Sequence, residues 1–277
     1  MKVGLYQFAP QWGDKSANLA KISDAIRRHP AVDLWILPEL CTSGYQFRAV
    51  EELNRLAEPF PGGLTSEAIA ALSAELHNSI ILGVIEKSGA DLYNSAVIFS
   101  KGRLYGTYRK IHLFLHEKKW FRPGNRPFRV YSIDGVRIGV MICFDWIFPE
   151  ASRSLAMQGA QLIAHPANLV LPYCQAAMVT RSIENRVFTA TANRIGSEAI
   201  CPEAPLHFTG GSQITDPLGQ RVGQLGQDAE AVLIAEIDPQ QADEKMITSA
   251  NDIFADRRSD LYSMDKFYSG SEKESRQ

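Results

Sequence analysis

Residues 137–150, "RIGVMICFDWIFPE", hold an apolar run, Ile138–Ile142, that stops on a cysteine. Polar and aromatic side chains follow at once, and Pro149-Glu150 supplies a tolerated first turn for a helix. A short continuous apolar run of this kind predicts a strand buried on both faces, here leading into a helix. Cys143 is then either one more small core residue or a nucleophile on a rigid pedestal.

Outward from this stretch, strands and helices alternate. "KVGLYQF" (2–8) reads as a strand, and 16–29 as a helix with Leu19, Ile22 and Ile26 at helical spacing and Ser16 or Asp14 as cap. "LWILPE" (34–39) is again continuously apolar. A helix over 65–77 presents Ile69, Leu72 and Leu76, and strands follow at "SIILGVIE", "LYNSAVIFS" and "LYGTYRKIHL". The order then repeats: "GVRIGVMIC", a helix over 149–158, "LIAHPAN", a helix over 175–187, and strands at "FTATANRI", "GGSQITD" and "AEAVLIAEID". Both halves read β-α-β-α-β-β-β, an architectural duplication without matching residue identities. Alternation of this kind predicts an α/β fold with helices packed on buried sheets. The segment 269–277, "SGSEKESRQ", lacks apolar residues and is expected to be disordered.

With 277 residues, 45% hydrophobic and 22% charged, the chain has room for one large domain or two halves sharing a core. A formal charge of −2 gives no electrostatic reason to bind nucleic acid or an anionic membrane. Neither a signal-like leader nor an apolar run of spanning length is present, so a cytoplasmic protein is expected. The four cysteines (Cys41, Cys143, Cys174, Cys201) form no CxxC pair and are expected to be reduced.

In α/β sheets, ligands gather beyond the carboxyl ends of strands. Glu39, Lys110 and Cys143 occupy such positions. Singly, Glu39 is as easily a solvated strand end, Lys110 a surface charge and Cys143 an inert buried thiol. Together they are the carboxylate, ammonium and thiol that acyl transfer needs. Cys41 is a rival nucleophile, since in an extended segment it shares a face with Glu39. Cys143 has the better setting, because a helix start nearby favours thiolate and oxyanion alike. His112 and His116, with Glu117 beside them, suggest zinc on a helix. They follow a strand-like run, lack the HExxH order and offer no clear third ligand, so no metal is expected.

These motifs resemble the nitrilase superfamily of carbon–nitrogen hydrolases along nearly the whole chain. "LPEL" carries the glutamate, "YRKIHLF" the lysine and "GVMICFDWIFPE" the cysteine, with "AHPAN" and "ENRVFTATANRIG" beyond. The nearest look-alikes are short, single-domain nitrilase and aliphatic amidase enzymes of archaea and bacteria. The resemblance implies an αββα four-layer sandwich of two similar halves over residues 1–262, with 263–277 as a tail. It implies a Glu39-Lys110-Cys143 site without metal or organic cofactor, supported by Glu117. It also implies a homodimer or larger assembly, built on the helix after the nucleophile and the C-terminal segment "NDIFADRRSDLY", which is otherwise a plain surface helix.

The expected chemistry is attack of Cys143 on an amide or nitrile carbon, with Glu39 as general base and a thioester intermediate. Lys110 and the Phe144 N–H would hold the oxyanion. Tyr45, Trp120, Trp146 and Asn168 follow motif segments and either line the site or pack as ordinary core. Larger nitrilases follow their cysteine with Trp-Glu, whereas this chain has Phe144-Asp145. Small aliphatic amides are therefore the expected substrates, ahead of nitriles and N-carbamoyl amides. A catalytically silent binding protein would need a damaged triad, and all three positions carry competent residues.

Overall fold

A computed structural model describes residues 1–201 and 203–262. One compact unit spans Met1–Glu244. In its first half, β1 (Lys2–Gln7), β2 (Leu34–Ile36) and β3 (Ser79–Ser88) run parallel, and β4 (Asp91–Ser100) and β5 (Arg103–Arg109) return antiparallel. The parallel strands are buried on both faces along their apolar stretches, residues 3–6 of β1, Leu34–Ile36 of β2 and residues 80–85 of β3. Helix α1 (Lys15–Arg27) starts where the Asp14 carboxylate accepts the Ala17 N–H at 2.9 Å. Beyond it lie α2 (Val50–Leu56) and α3 (Gly63–Glu75). Ile22 and Ile26 from α1 and Ile69 and Leu72 from α3 pack with Trp35, Ile80, Leu82 and Phe99 in one core.

The second half begins after α4 (Glu117–Trp120) with β6 (Val130–Ile133) and β7 (Val136–Val140). Helix α5 (Pro149–Met157), β8 (Leu162–Ala167), α6 (Cys174–Asn185) and β9 (Phe188–Asn193) follow. A short ribbon, β10 (Ser197–Glu198) with β11 (Leu206–His207), precedes β12 (Gln213–Thr215), β13 (Arg221–Gln224) and β14 (Ala231–Glu236). The two six-stranded sheets have the orders β14-β1-β2-β3-β4-β5 and β13-β12-β9-β8-β7-β6. Strands β1, β2 and β3 face β8 and β9 across the middle, with α1 and α3 outside one sheet and α5 and α6 outside the other. This is the expected αββα sandwich of two similar halves.

The duplication holds with two corrections: β6, "VYSI", is a strand the sequence reading lacked, and it pairs antiparallel with β7 at the edge of the second sheet. "AEAVLIAEID" is not the last strand of the second half. It crosses to the first sheet and pairs antiparallel with β1, Lys2 opposite Glu236. Its buried Ala235 and Ile237 alternate with exposed Ile234 and Glu236, the pattern of an antiparallel strand wetted on one face. The vacated place belongs to β13, "RVGQ", too short and polar to announce itself. Helices α2 and α4 are likewise too short for periodicity to reveal.

A second unit begins at Lys245. There β15 (Met246–Thr248) pairs with β16 (Asn251–Asp252), and turns continue to residue 262. The surface helix that is the alternative reading of "NDIFADRRSDLY" is absent, because the Asp252 carboxylate accepts the Phe254 and Ala255 N–H groups and fixes a turn. The tail expectation for 269–277 lies outside the described residues. No helix among the described residues is long and apolar enough to cross a membrane.

Candidate active site

Glu39 is set by the chain that leaves β2 and runs over β3. The Gly83 N–H donates to the Pro38 carbonyl at 3.1 Å, and the Cys41 N–H donates to the Gly83 carbonyl at 3.0 Å. Such closeness requires glycine, since a Cβ on Gly83 would lie 2.4 Å from the Glu39 Cα. Leu40 then turns left-handed, φ 46°, and ends the extended run. Cys41 therefore does not share a face with Glu39, as an extended segment would have it. Its thiol points to the Gly83 carbonyl at 3.5 Å, and burial pushes it up to about 12.

Lys110 follows β5, its N–H donating to the Asn94 carbonyl at 2.8 Å. Its ammonium lies 2.6 Å from Glu39 Oε1 and 2.7 Å from Glu117 Oε1, all three side chains being buried. Asn94 Nδ2 donates to the same Glu39 oxygen at 2.7 Å, so Oε2 is left buried without a partner. The Tyr45 hydroxyl donates to Glu117 Oε1 at 2.6 Å, and the Phe114 N–H donates to Oε2 at 3.3 Å. Burial pulls the Lys110 ammonium down, but Glu117 and Glu39 together push it above its ordinary value, so it stays charged. Glu117 is raised by burial; Lys110 opposes the shift and Glu39 adds to it.

Cys143 begins a 3-10 turn, Cys143–Ile147, with a left-handed backbone, φ 41°. Asp145 holds this turn from within: its Oδ2 accepts the Ile142 N–H at 2.8 Å and the Tyr108 hydroxyl at 2.7 Å. Its Oδ1 lies 3.2 Å from the His112 N–H and 2.8 Å from His112 Nδ1. Burial and then the Glu39 charge raise the Cys143 thiol well above its ordinary value, only partly offset by Lys110 and a backbone hydrogen bond from Asn168. The resting group is a thiol, contrary to the expectation that a helix start would favour thiolate. A single 3-10 turn is too weak a dipole to outweigh burial beside a carboxylate.

His112 and His116 do not stand on one helix. His112 lies in a turn, stacked on Phe148 at 3.8 Å, and its Nδ1 is engaged by Asp145. His116 precedes α4. Among the described residues, no three His, Cys, Asp or Glu side chains gather as metal ligands.

The pocket residues separate into two groups. Trp146 and Asn168 line a narrow cleft at the Cys143 thiol, with Phe114, Phe144, Leu169 and Val170. Both polar atoms of the buried Asn168 side chain are unpartnered. Tyr45 and Trp120 instead line a cavity of about 570 Å³ that also touches Glu117 but not Cys143. Size favours the cavity, which Glu117 lines; the nucleophile lines only the cleft, and the chemistry decides for the cleft. The loop walling the cavity is pinned by Glu198, which accepts the Tyr45 and Gln46 N–H groups and pairs with the buried Arg194.

Sequence reading overlooked Asn94, Tyr108, Asp145 and His165. Asn94-Ser95 and His165 are polar residues inside otherwise apolar strands, a signal that was available. Asp145 stood out only as a departure from Trp-Glu.

Two similar sheets faced by helices, with a cysteine on a turn beyond a buried strand, are the frame of hydrolases that cleave carbon–nitrogen bonds. The chain belongs to the carbon-nitrogen hydrolase family, whose model matches residues 2–245. It is 41% identical over 264 residues to a protein named nitrilase from Pyrococcus abyssi, covering 95% of this chain and 99% of that one. Among solved structures, a carbon-nitrogen hydrolase from Helicobacter pylori G27 superposes with TM-score 0.84 at 26% identity, covering 95% and 96% of the two chains. An amidase variant from Nesterenkonia sp. AN1 superposes with TM-score 0.78 at 25% identity, covering 94% and 95%. It carries the acetamide moiety of fluoroacetamide covalently at its active site cysteine.

Proposed function

We propose that this enzyme hydrolyses small aliphatic amides to carboxylic acid and ammonia through a thioester on Cys143. The observation that carries the reading is the unpartnered Glu39 Oε2, buried in the same site as a thiol that burial keeps protonated. Glu39 takes the thiol proton as the sulfur attacks the amide carbon. Lys110 Nζ and the Phe144 N–H stabilise the oxygen of the tetrahedral intermediate. Glu39 then passes its proton to the leaving ammonia and activates the water that cleaves the thioester. Glu117 fixes Lys110 and neutralises part of its charge.

The cleft's apolar walls suit a short acyl group, with the Asn168 amide as its one polar contact. Tyr45 and Trp120 shape the neighbouring cavity and support Glu117. We take residues 1–262 as the hydrolase domain, most of which the family match spans. A homodimer or larger assembly is supported by Met157 and Ile183, exposed on α5 and α6. A reducing, cytoplasmic setting accords with four free cysteines.

A nitrile reading draws its support from the names of relatives, the nitrilase of Pyrococcus abyssi among them. The two substrates ask different things of the site. An amide places its oxygen on the oxyanion donors at the first step, whereas a nitrile has no oxygen until water enters. Comparing kcat/KM for propionamide and propionitrile, and for further matched pairs, tests the proposal. The amide should win across the series; consistent preference for nitriles overturns it.

A further inference from the structure

His165 is a histidine inside an otherwise apolar strand, fully buried, and no step of the proposed chemistry uses it. Its Nε2 lies 2.9 Å from the carbonyl oxygen of Cys143, and its Nδ1 lies 3.1 Å from Thr191 Oγ1 on the neighbouring strand β9. Burial holds the ring neutral, pulling it down to about 4. A carbonyl only accepts, so Nε2 carries the hydrogen and Nδ1 accepts from the Thr191 hydroxyl.

The Cys143 carbonyl and the Phe144 N–H belong to one planar trans peptide and point in opposite directions. Fixing the first fixes the second. The left-handed backbone at Cys143 does not hold itself, since a residue with a Cβ rarely adopts it. Asp145 grips the Ile142 N–H before the cysteine, and His165 grips the carbonyl after it.

We propose that His165 is a positioning residue for the oxyanion donor: by holding the Cys143 carbonyl, its Nε2–H aims the Phe144 N–H at the oxygen of the tetrahedral intermediate. The same hydrogen bond polarises the peptide and makes that N–H a better donor. The inference rests on the Cys143 thioester reading. It predicts that His165 matters only to steps in which an oxyanion develops.

Two reactions of the same sulfur separate the roles. Amide hydrolysis passes through an oxyanion. Methylation by iodomethane does not: the S–C bond forms as the C–I bond breaks, iodide leaves, and the thiol proton goes to base. His165→Leu should lower kcat for propionamide about a hundredfold, the usual loss for one oxyanion donor, with KM little changed and methylation of Cys143 unaltered. His165→Gln, which offers an amide donor at similar reach, should recover much of kcat. Thr191→Val, nearly isosteric, should lower kcat severalfold by releasing the ring's other nitrogen.

A His165→Leu variant with wild-type kcat overturns the inference. So does one in which methylation slows as much as turnover, because His165 would then merely hold the sulfur in place. If His165→Leu does not fold, wild-type kcat in Thr191→Val overturns it. Wild-type enzyme never acylated on Cys143 sinks the hydrolytic mechanism itself; acylated wild type with an unaffected His165→Leu sinks this inference alone.

Discussion

Glu39 and Glu117 each present one carboxylate oxygen to the same ammonium, at 2.6 and 2.7 Å from Lys110 Nζ. The cation is what lets two buried carboxylates coexist. Lys110→Ala should therefore fail twice, losing an oxyanion donor and leaving two uncompensated charges, a penalty of about 3–5 kcal/mol for a broken buried pair. Thermal unfolding and kcat measured on one preparation should fall together. Unchanged unfolding would mean that the carboxylates do not depend on Lys110.

Glu117→Gln keeps the shape and an oxygen for the Tyr45 hydroxyl, but removes one negative charge from Lys110. Folding should survive, and kcat should drop roughly tenfold, the scale of a lost charged contact. Full activity across a panel of amides would refute its supporting role.

Cys143→Ala should abolish turnover, while Cys41→Ala should retain it with a modest loss of stability, because Cys41 fills core space against Gly83. Intact mass spectrometry with a slow amide should show an acyl adduct on wild type and none on Cys143→Ala. An adduct on Cys41 would reverse the assignment.

Asn168 should oppose stability to activity. A buried polar group without a partner costs about 1–3 kcal/mol, and an apolar replacement of similar size removes that cost. Asn168→Leu should raise the melting temperature by a few degrees and lower kcat/KM for amides at least about tenfold, the scale of one lost hydrogen bond. A lower melting temperature with unchanged activity would make Asn168 a packing residue instead.

The neutral His165 also predicts a pH dependence of stability. Burial depresses its folded value from the ordinary 6.5 to about 4. Between these values the unfolded chain binds the proton and the folded chain does not, so stability rises with pH across that window. The contribution is complete above about 6.5 and worth about 3 kcal/mol at most. It is lost as the pH falls toward 4. Wild type should melt progressively lower over that interval, and His165→Gln should show a shallower decline. Parallel curves would refute a buried neutral ring.

The elements legible in the sequence are those whose burial is uniform or strictly periodic. Strand β2 is apolar throughout and β1, β7 and β8 are apolar along most of their length because helices and a second sheet cover both faces, and α1, α3, α5 and α6 carry one apolar stripe each. Strand β14 misled because a wetted edge strand gives the same local pattern in either sheet, and only the open edge of β1 decides between them. In the site, Glu39, Lys110 and Cys143 are brought together, as their places at strand ends suggested, and Glu117, which the family resemblance supplied, joins them from α4. Asn94, Asp145 and His165 escaped because each acts on a neighbour's backbone or carboxylate, a relation that exists only in three dimensions.

The pairing of β14 with β1 has a consequence for the order of synthesis. The Met1 amino group hydrogen-bonds the Ile237 carbonyl, 236 residues away along the chain. While the ribosome is still making the second half, the first sheet waits with the β1 edge bare, an invitation to pair with another nascent chain. Strand β14, made late, seals β1. A chain stopped near residue 230 would thus retain every residue proposed for catalysis and still lack the seam that closes its first sheet, and aggregation rather than slow turnover should be its failing.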